Sequence, residues 1–445
     1  MSRHAKQLEL LQIPTVGAAS ETMVPFVLEY DHQYTNGMPI RYVSFPFPVA
    51  GQPVEVHKQY VEGNDRLSGK PMMQAIIDAL TVPLTAHEQE AGPVEQDPPE
   101  PRLLPADTED NLQQLFKARD WTDYNPIILP TEERVARMLA GTSHAPNEVV
   151  HTVNWPGGAR PITVEKAAVC AVMAGARPEH FPLILALTTQ VPFGNSTSSM
   201  ANIIVVNGPI RKELGMNCGT NVLGPHGEVN SVIGRVFTLL SKTVGHLHSG
   251  VTTFSTLGSN MQYNNMTIGE HEERLPQGWD PLHVQMGYKP EDNVVSVGIG
   301  WTCISSVGEV QRAYPPHKLM RDYMSSLTAL GSAAVVIMDP SVADLLHDLH
   351  GFDSKTALSQ WFSQNVEKNV ESFWGNGVVS TFYGTMAHYG MEPFTRWRKL
   401  PPEQNIKPFN NPKAMHMIVT GGGIQTTWFV TDFRLAKGVL IDPWR

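Results

Sequence analysis

Apolar and polar positions change their spacing several times along the chain, and each spacing predicts an element. From Arg3 to Leu11 the residues favour helix, and Ile13-Pro14-Thr15-Val16-Gly17 then reads as a short strand ending in small residues. Arg41-Tyr42-Val43-Ser44-Phe45 is a β-branched and aromatic run closed by Pro46 and Pro48. Between Lys70 and Leu80, Met73, Ile76, Ile77 and Leu80 recur at helical spacing. Residues 1–85 therefore read as a small α/β unit. Residues 86–106, AHEQEAGPVEQDPPEPRLLPA, are acidic, proline-rich and nearly devoid of groups to bury, which predicts a linker.

The remainder, 107–445, opens with two capped amphipathic helices. Asp107 or Thr108 precedes Leu112, Leu115 and Phe116; Thr131 precedes Val135, Met138 and Leu139, with Gly141 placed as a C-terminal cap. Thr163 begins an almost wholly apolar helix ending at Gly175, and Pro178 with Glu179 suits the first turn of the next. Strands are expected at Asn202–Asn207, Val294–Gly298 and Ala333–Met338, the last passing through Asp339-Pro340 into a helix. The fold class is α/β, a small α/β unit followed by a larger α/β or α+β domain. No repeat of fixed period occurs.

Composition narrows the function. With 445 residues, 41% of them hydrophobic, the chain can build a sizeable core and more than one domain. The 33 basic and 43 acidic residues give a net charge of −10 without any Lys/Arg stripe, so nucleic acid and anionic membrane are poor partners. No membrane span and no secretory leader is legible, which makes the cytoplasm the default compartment. Cys170, Cys218 and Cys303 are three widely spaced cysteines with no CxxC pair, against both a disulfide scaffold and a structural zinc site.

Candidate chemistry concentrates between Gly245 and Gly287, where His, Glu, Asn and Thr alternate with glycine. His246 and His248 would share one face of an extended segment and could offer two imidazoles to a divalent metal, with His271, Glu272 or His283 completing the shell; two solvent-facing histidines are the simpler reading. Glu272 and Glu273 offer one general base and one structural charge, or merely a solvated pair. The turn-rich run from Asn217 through Asn230 enters a helix carrying Arg235, so Asn217, Asn230 and Arg235 could hold an anionic substrate group; alternatively the run is a tight turn with Asn230 as its N-cap. Cys218 is the cysteine set in such a loop, and if any thiol reacts it is this one. Gly421-Gly422-Gly423, after the apolar run MHMIVT, lacks P-loop and Rossmann spacing and reads as a turn with close backbone approach.

Several segments in order, among them PFPVAG, YVEGNDRLSGKPMMQAIIDALT, RDWTDYNPIILPTEERVARMLAGTSHAP, GPHGEVNSVIGR, EHEERLPQGWDPLHVQMGY and TGGG, resemble the long form of the UGSC-motif (seleno)protein family. The resemblance implies a racemase-like first domain and thiol or selenol redox chemistry carried by a Cys/Sec-Gly-Ser-Cys motif ahead of the first helix. The chain opens at MSRHAK, already inside that helix, so the resemblance places the motif on a partner chain or an upstream segment, or else abandons it. It also implies that Glu272, Glu273, His283, Asn230 and Arg235 line the site.

Three functions follow as expectations. The first is an oxidoreductase or lyase of small-molecule metabolism that cleaves a carbon–heteroatom bond with thiol or selenol assistance, together with a partner subunit or upstream motif. The second is a metal-assisted lyase, hydratase or hydrolase with Glu272 or Glu273 as base and His283 as acid. The third is a non-catalytic subunit of a hetero-oligomer.

Overall fold

A computed structural model describes the chain apart from residues 1, 26, 29–34, 36, 50, 51, 91–100, 156, 157, 192–199, 246, 250–252, 254, 256, 307–313 and 425. Two compact units emerge. The first comprises Met1–Ala106, Asn154–Ala159 and Gly377–Lys399, the second Asp107–Val153, Arg160–Asn376 and Leu400–Arg445. Residues 154–159 and 377–399 thus group with the first unit.

In the first unit, β1 (Val16–Ser20) and β2 (Arg41–Phe45) pair in parallel, with β1 starting three residues later than the Ile13 start read from the sequence. Ala5, Ile40 and Tyr42 form one small core; Val43 packs with Met72 and Ala75 of the helix Met72–Thr81 in another. Gly17 is required there, because a Cβ would lie 2.2 Å from the Tyr42 ring. The segment read as a linker contains a helix, Ala86–Glu90, and its Glu88 ion-pairs with Arg41 at 2.8 Å. A two-pronged contact across 47 positions is what local composition could not reveal.

In chain order the remaining strands are β3 (Val149–Trp155), β4 (Gly158–Thr163), β5 (Ala201–Asn207), β6 (Thr267–Gly269), β7 (Val294–Gly300), β8 (Cys303–Ser305), β9 (Ala334–Met338), β10 (Lys368–Asn369), β11 (Asn405–Ile406), β12 (Met415–Val419), β13 (Trp428–Thr431), β14 (Arg434–Leu435) and β15 (Val439–Leu440). The second unit is built on two main sheets, with β10–β11 as a separate two-stranded pair and with β3–β4 as another whose residues 154–159 group with the first unit. One sheet runs β14-β7-β5-β6, with β15 also on β7; the other runs β12-β9-β13-β8. Each contains one parallel pair, β5 with β6 and β12 with β9, among antiparallel neighbours.

The side-chain period of two divides these strands between layers. Ala201, Ile203, Val205 and Ile268 of the first sheet pack on Val335, Ile337 and Ile418 of the second. The alternate residues Ala334, Val336, Met338, Met417 and Val419 face outward, against Met320 and Met324, Val342 and Leu346, and Leu358 and Phe362 of three helices. On the far side of the first sheet lie the fully buried helix Phe181–Thr188 and the helices Val164–Ala174 and Glu228–Leu239. The order is helix, sheet, sheet, helix, an α/β fold.

Local capping explains the helix starts. Thr108, Thr131, Thr163 and Asp339 each accept a hydrogen bond from a backbone N–H three residues on, and Gly175 closes its helix at φ 88°. Gly141 does not cap in the left-handed manner expected of it. Its lack of a side chain instead admits the Pro178 carbonyl, which would lie 2.1 Å from a Cβ. No helix among the described residues is long and apolar enough to cross a membrane.

Candidate functional site

The carboxyl ends of β5, β6 and β12 converge where the two sheets meet, and a polar cluster fills the junction. β5 ends at Asn207, followed by the four-residue helix Ile210–Glu213 that carries Arg211 and Lys212. β6 ends at Gly269, so Glu270, His271, Glu272 and Glu273 emerge directly from it, the last two in a 3-10 turn. β12 delivers Thr420 and the triple glycine. Backbone bonds stitch these ends together: His271 N–H donates to the Val419 carbonyl at 2.7 Å, and Gly421 N–H to the Cys218 carbonyl at 2.8 Å.

Glu270 is completely buried and is the hub. Its Oε1 meets Lys355 Nζ at 2.5 Å, and its Oε2 accepts from Asn207 Nδ2 and from Leu282 N–H, both at 2.7 Å. The same Asn207 Nδ2 lies 3.0 Å from Glu272 Oε1, which also accepts from Gly208 N–H at 2.8 Å. Glu272 Oε2 then pairs with Arg211 Nη2 at 2.7 Å. Arg211, 2% exposed, donates further to the Gly208 carbonyl at 2.9 Å, the Glu270 carbonyl at 2.5 Å and Glu273 at 3.2 Å. Its Nη1 reaches Cys218 Sγ at 3.8 Å.

One glycine makes room for that sulfur and another for its neighbour Thr220. A Cβ on Gly269 would lie 2.5 Å from Cys218 Sγ, and one on Gly422 would lie 2.5 Å from Thr220 Oγ1. Thr420 Oγ1 also donates to the Cys218 carbonyl at 3.2 Å and contacts the Gly269 carbonyl at 2.8 Å. The thiol is thereby held against the end of β6, on a residue that is half-buried.

The charges sort by burial. Burial works against the Arg211 cation, yet Glu272 and Glu273 leave its pKa raised. Glu273, two-fifths exposed, also resists burial and is held down to about 2 by Lys212 and Arg211. Burial pushes the Cys218 thiol up; Arg211 opposes this, and Glu273 and Glu272 reinforce it. Cys170 and Cys303 are pushed by burial to about 11. His416, on β12, falls to about 4 through burial and then the charge of Lys355.

Of the residues singled out from the sequence, Glu272, Glu273 and Cys218 come together on Arg211. His283 lies behind them, completely buried, with Nδ1 3.9 Å from Glu272 Oε1 and without a hydrogen-bond partner, and Nε2 3.3 Å from the Pro290 carbonyl. His271 joins the cluster by its backbone. Asn217 and Asn230 bond each other: Asn217 N–H donates to Asn230 Oδ1 and Asn230 Nδ2 to the Asn217 carbonyl, both at 2.9 Å. Asn230 is not the N-cap expected of it, because the helix begins earlier, at Glu228 with Gly227 capping, and the Asn230 side chain is spent on the Cys218 loop and the Thr267 carbonyl.

Arg235 faces elsewhere, in a two-pronged pair with buried Asp123 at 2.9 and 3.0 Å, which leaves it little capacity for a ligand. His248 pairs with Asp120 at 2.7 Å, beside Lys242. His246 lies outside the described residues. Among the described residues, no group of three or more His, Cys, Asp or Glu could hold a metal ion.

Asn207, Arg211, Lys212, Glu270 and Lys355 escaped the sequence reading. No protein-family model, no curated protein and no solved structure matches this chain.

Proposed function

We propose that this chain is an enzyme of small-molecule metabolism that cleaves a carbon–heteroatom bond with Cys218 as nucleophile. The observation that carries the reading is the single Arg211 guanidinium touching Cys218 Sγ, Glu272 and Glu273 together. Arg211 opposes the burial that raises this thiol's pKa, so the cation favours the thiolate, the form that attacks carbon, relative to the same site without it. The sulfur forms a C–S bond as the heteroatom departs with the electron pair of the broken bond and is protonated. Reductive release of the carbon fragment needs a second thiol or selenol, which attacks the Cys218 sulfur to form a dichalcogenide while the carbon takes up a proton. That group is supplied in trans, by a partner chain or a further segment.

The carboxylates support this reading over the acid–base one. Glu273 at about 2 is a weak base near neutrality, and Glu272 is already engaged by Arg211, Gly208 N–H and Asn207. Their role here is to hold Arg211. Cys218 is the partly open group of the cluster whose reactive atom is not committed to a short bond.

The test is covalent trapping with turnover. Purified protein is incubated with a panel of small carbonyl compounds bearing α-heteroatom leaving groups and a dithiol reductant; intact mass and leaving-group release are followed. An adduct on Cys218, lost with turnover in Cys218→Ser, is expected. Turnover that persists undiminished in Cys218→Ser contradicts the reading and favours the Glu272–His283 alternative.

A further inference from the structure

We infer that Lys355 and Glu270 are positioning residues for the Arg211–Cys218 pair, acting through Asn207 and Glu272. The inference rests on the reading of Cys218 as the reactive group.

Both side chains are at most 1% exposed, and their charges meet at 2.5 Å. Desolvating two such charges costs about what their attraction returns, and apolar residues of similar size serve a core as well or better. Stability alone therefore does not account for the pair. Its placement does. Lys355 begins the helix Lys355–Asn365 in the outer layer of one sheet, whereas Glu270 leaves β6 of the other. The contact fixes Glu270, which reaches Arg211 by two routes.

The first route is through side chains: Glu270 Oε2 holds Asn207 Nδ2 at 2.7 Å, the same nitrogen holds Glu272 Oε1 at 3.0 Å, and Glu272 Oε2 holds Arg211 at 2.7 Å. The second is through the backbone: the Glu270 carbonyl accepts from Arg211 Nη1, the nitrogen that faces Cys218 Sγ. Both routes end on one guanidinium. Asn207 Oδ1 has no hydrogen-bond partner, so its amide is oriented by the two carboxylates it donates to. Removing the Glu270 charge frees that amide, loosens Glu272, and lets Arg211 drift from the sulfur.

The test is the second-order rate of Cys218 alkylation by iodoacetamide from pH 7 to pH 11.5, read by peptide mass spectrometry on the full chain. Lys355→Met with Glu270→Gln removes both charges together. The midpoint is expected to rise by about one pH unit and the rate at pH 8 to fall about tenfold. A second paired replacement, Arg235→Met with Asp123→Leu, removes another largely buried ion pair of the same unit and is expected to leave the profile in place. An unchanged profile in the first variant, or an equal shift in the second, overturns the inference. If the first variant does not fold, Glu270→Gln alone decides: a rise in the midpoint supports the inference and an unmoved one refutes it. A wild-type Cys218 that iodoacetamide does not reach removes the underlying reading instead.

Discussion

Arg211 donates to Cys218 Sγ at 3.8 Å while the other end of its guanidinium pairs with Glu272 at 2.7 Å. One buried cation thus serves a partly open thiol and a nearly closed carboxylate, and the balance between them sets how readily the thiol ionises. Burial wins: the thiol stays above the ordinary value of 9.0, with Arg211 opposing the rise.

Replacing Arg211 with Met removes the one influence that lowers the thiol pKa. The midpoint of Cys218 alkylation is expected to rise further, with about a tenfold slower rate at pH 8 for each unit. Glu272 is left unpaired and largely buried, so urea unfolding is expected to show a loss of about 3–5 kcal/mol. Arg211→Lys keeps the charge and is expected to recover part of both losses.

Gly269→Ala places a methyl group 2.5 Å from Cys218 Sγ. The sulfur has Arg211 on one side and its carbonyl pinned by Thr420 and Gly421, so it cannot move aside without breaking those contacts. Slowed alkylation with retained circular dichroism is the expected result; wild-type rates would show that the close approach is unimportant.

Two histidines make stability pH-dependent. His317 and His416 both fall to about 4, chiefly through burial, so the folded protein keeps them neutral while the unfolded chain protonates them near 6.5. Their contribution is fully present above pH 6.5 and is lost as pH falls from 6.5 to about 4. Each is expected to account for roughly 3 kcal/mol across that window. Thermal melts of His416→Gln should show a shallower loss of stability between pH 6.5 and 4 than wild type.

Glu273 acts in a lower window. Its pKa is depressed from 4.5 to about 2, so the stability it lends is present above pH 4.5 and vanishes as pH falls through 2. Its side chain is 40% exposed, and solvent screening keeps the effect small. Glu273→Gln is expected to change acid denaturation slightly below pH 4.5, while altering Cys218 alkylation measurably by removing a neighbouring negative charge.

What could be read from the sequence was what depends on near neighbours. Thr108, Thr131, Thr163 and Asp339 bond backbone three residues away, so their capping is written locally. Cys218, Glu272 and Glu273 stood out as polar residues in glycine-rich loops. Arg211 meets the Glu270 carbonyl across 59 positions, and Lys355 meets Glu270 across 85, so no spacing could pair them. One signal was present: Lys355 follows the N-cap Ser354 into the first turn of its helix, where the macrodipole disfavours a cation. A charge in that position needs a partner, and Glu270 is it. The placement of Arg235 followed the same limit, since its partner Asp123 lies 112 positions away.

The most direct test of Cys218 as the reactive centre uses the native protein with limiting iodoacetamide at pH 8.5 and counts adducts on the three cysteine peptides. Modification of Cys218 first, with Cys303 slower because its thiol is pushed up to about 11 and buried Cys170 untouched until the protein is unfolded, is the predicted result. Labelling of Cys170 or Cys303 as fast as Cys218, or a Cys218 that stays unmodified in the folded protein, would contradict it.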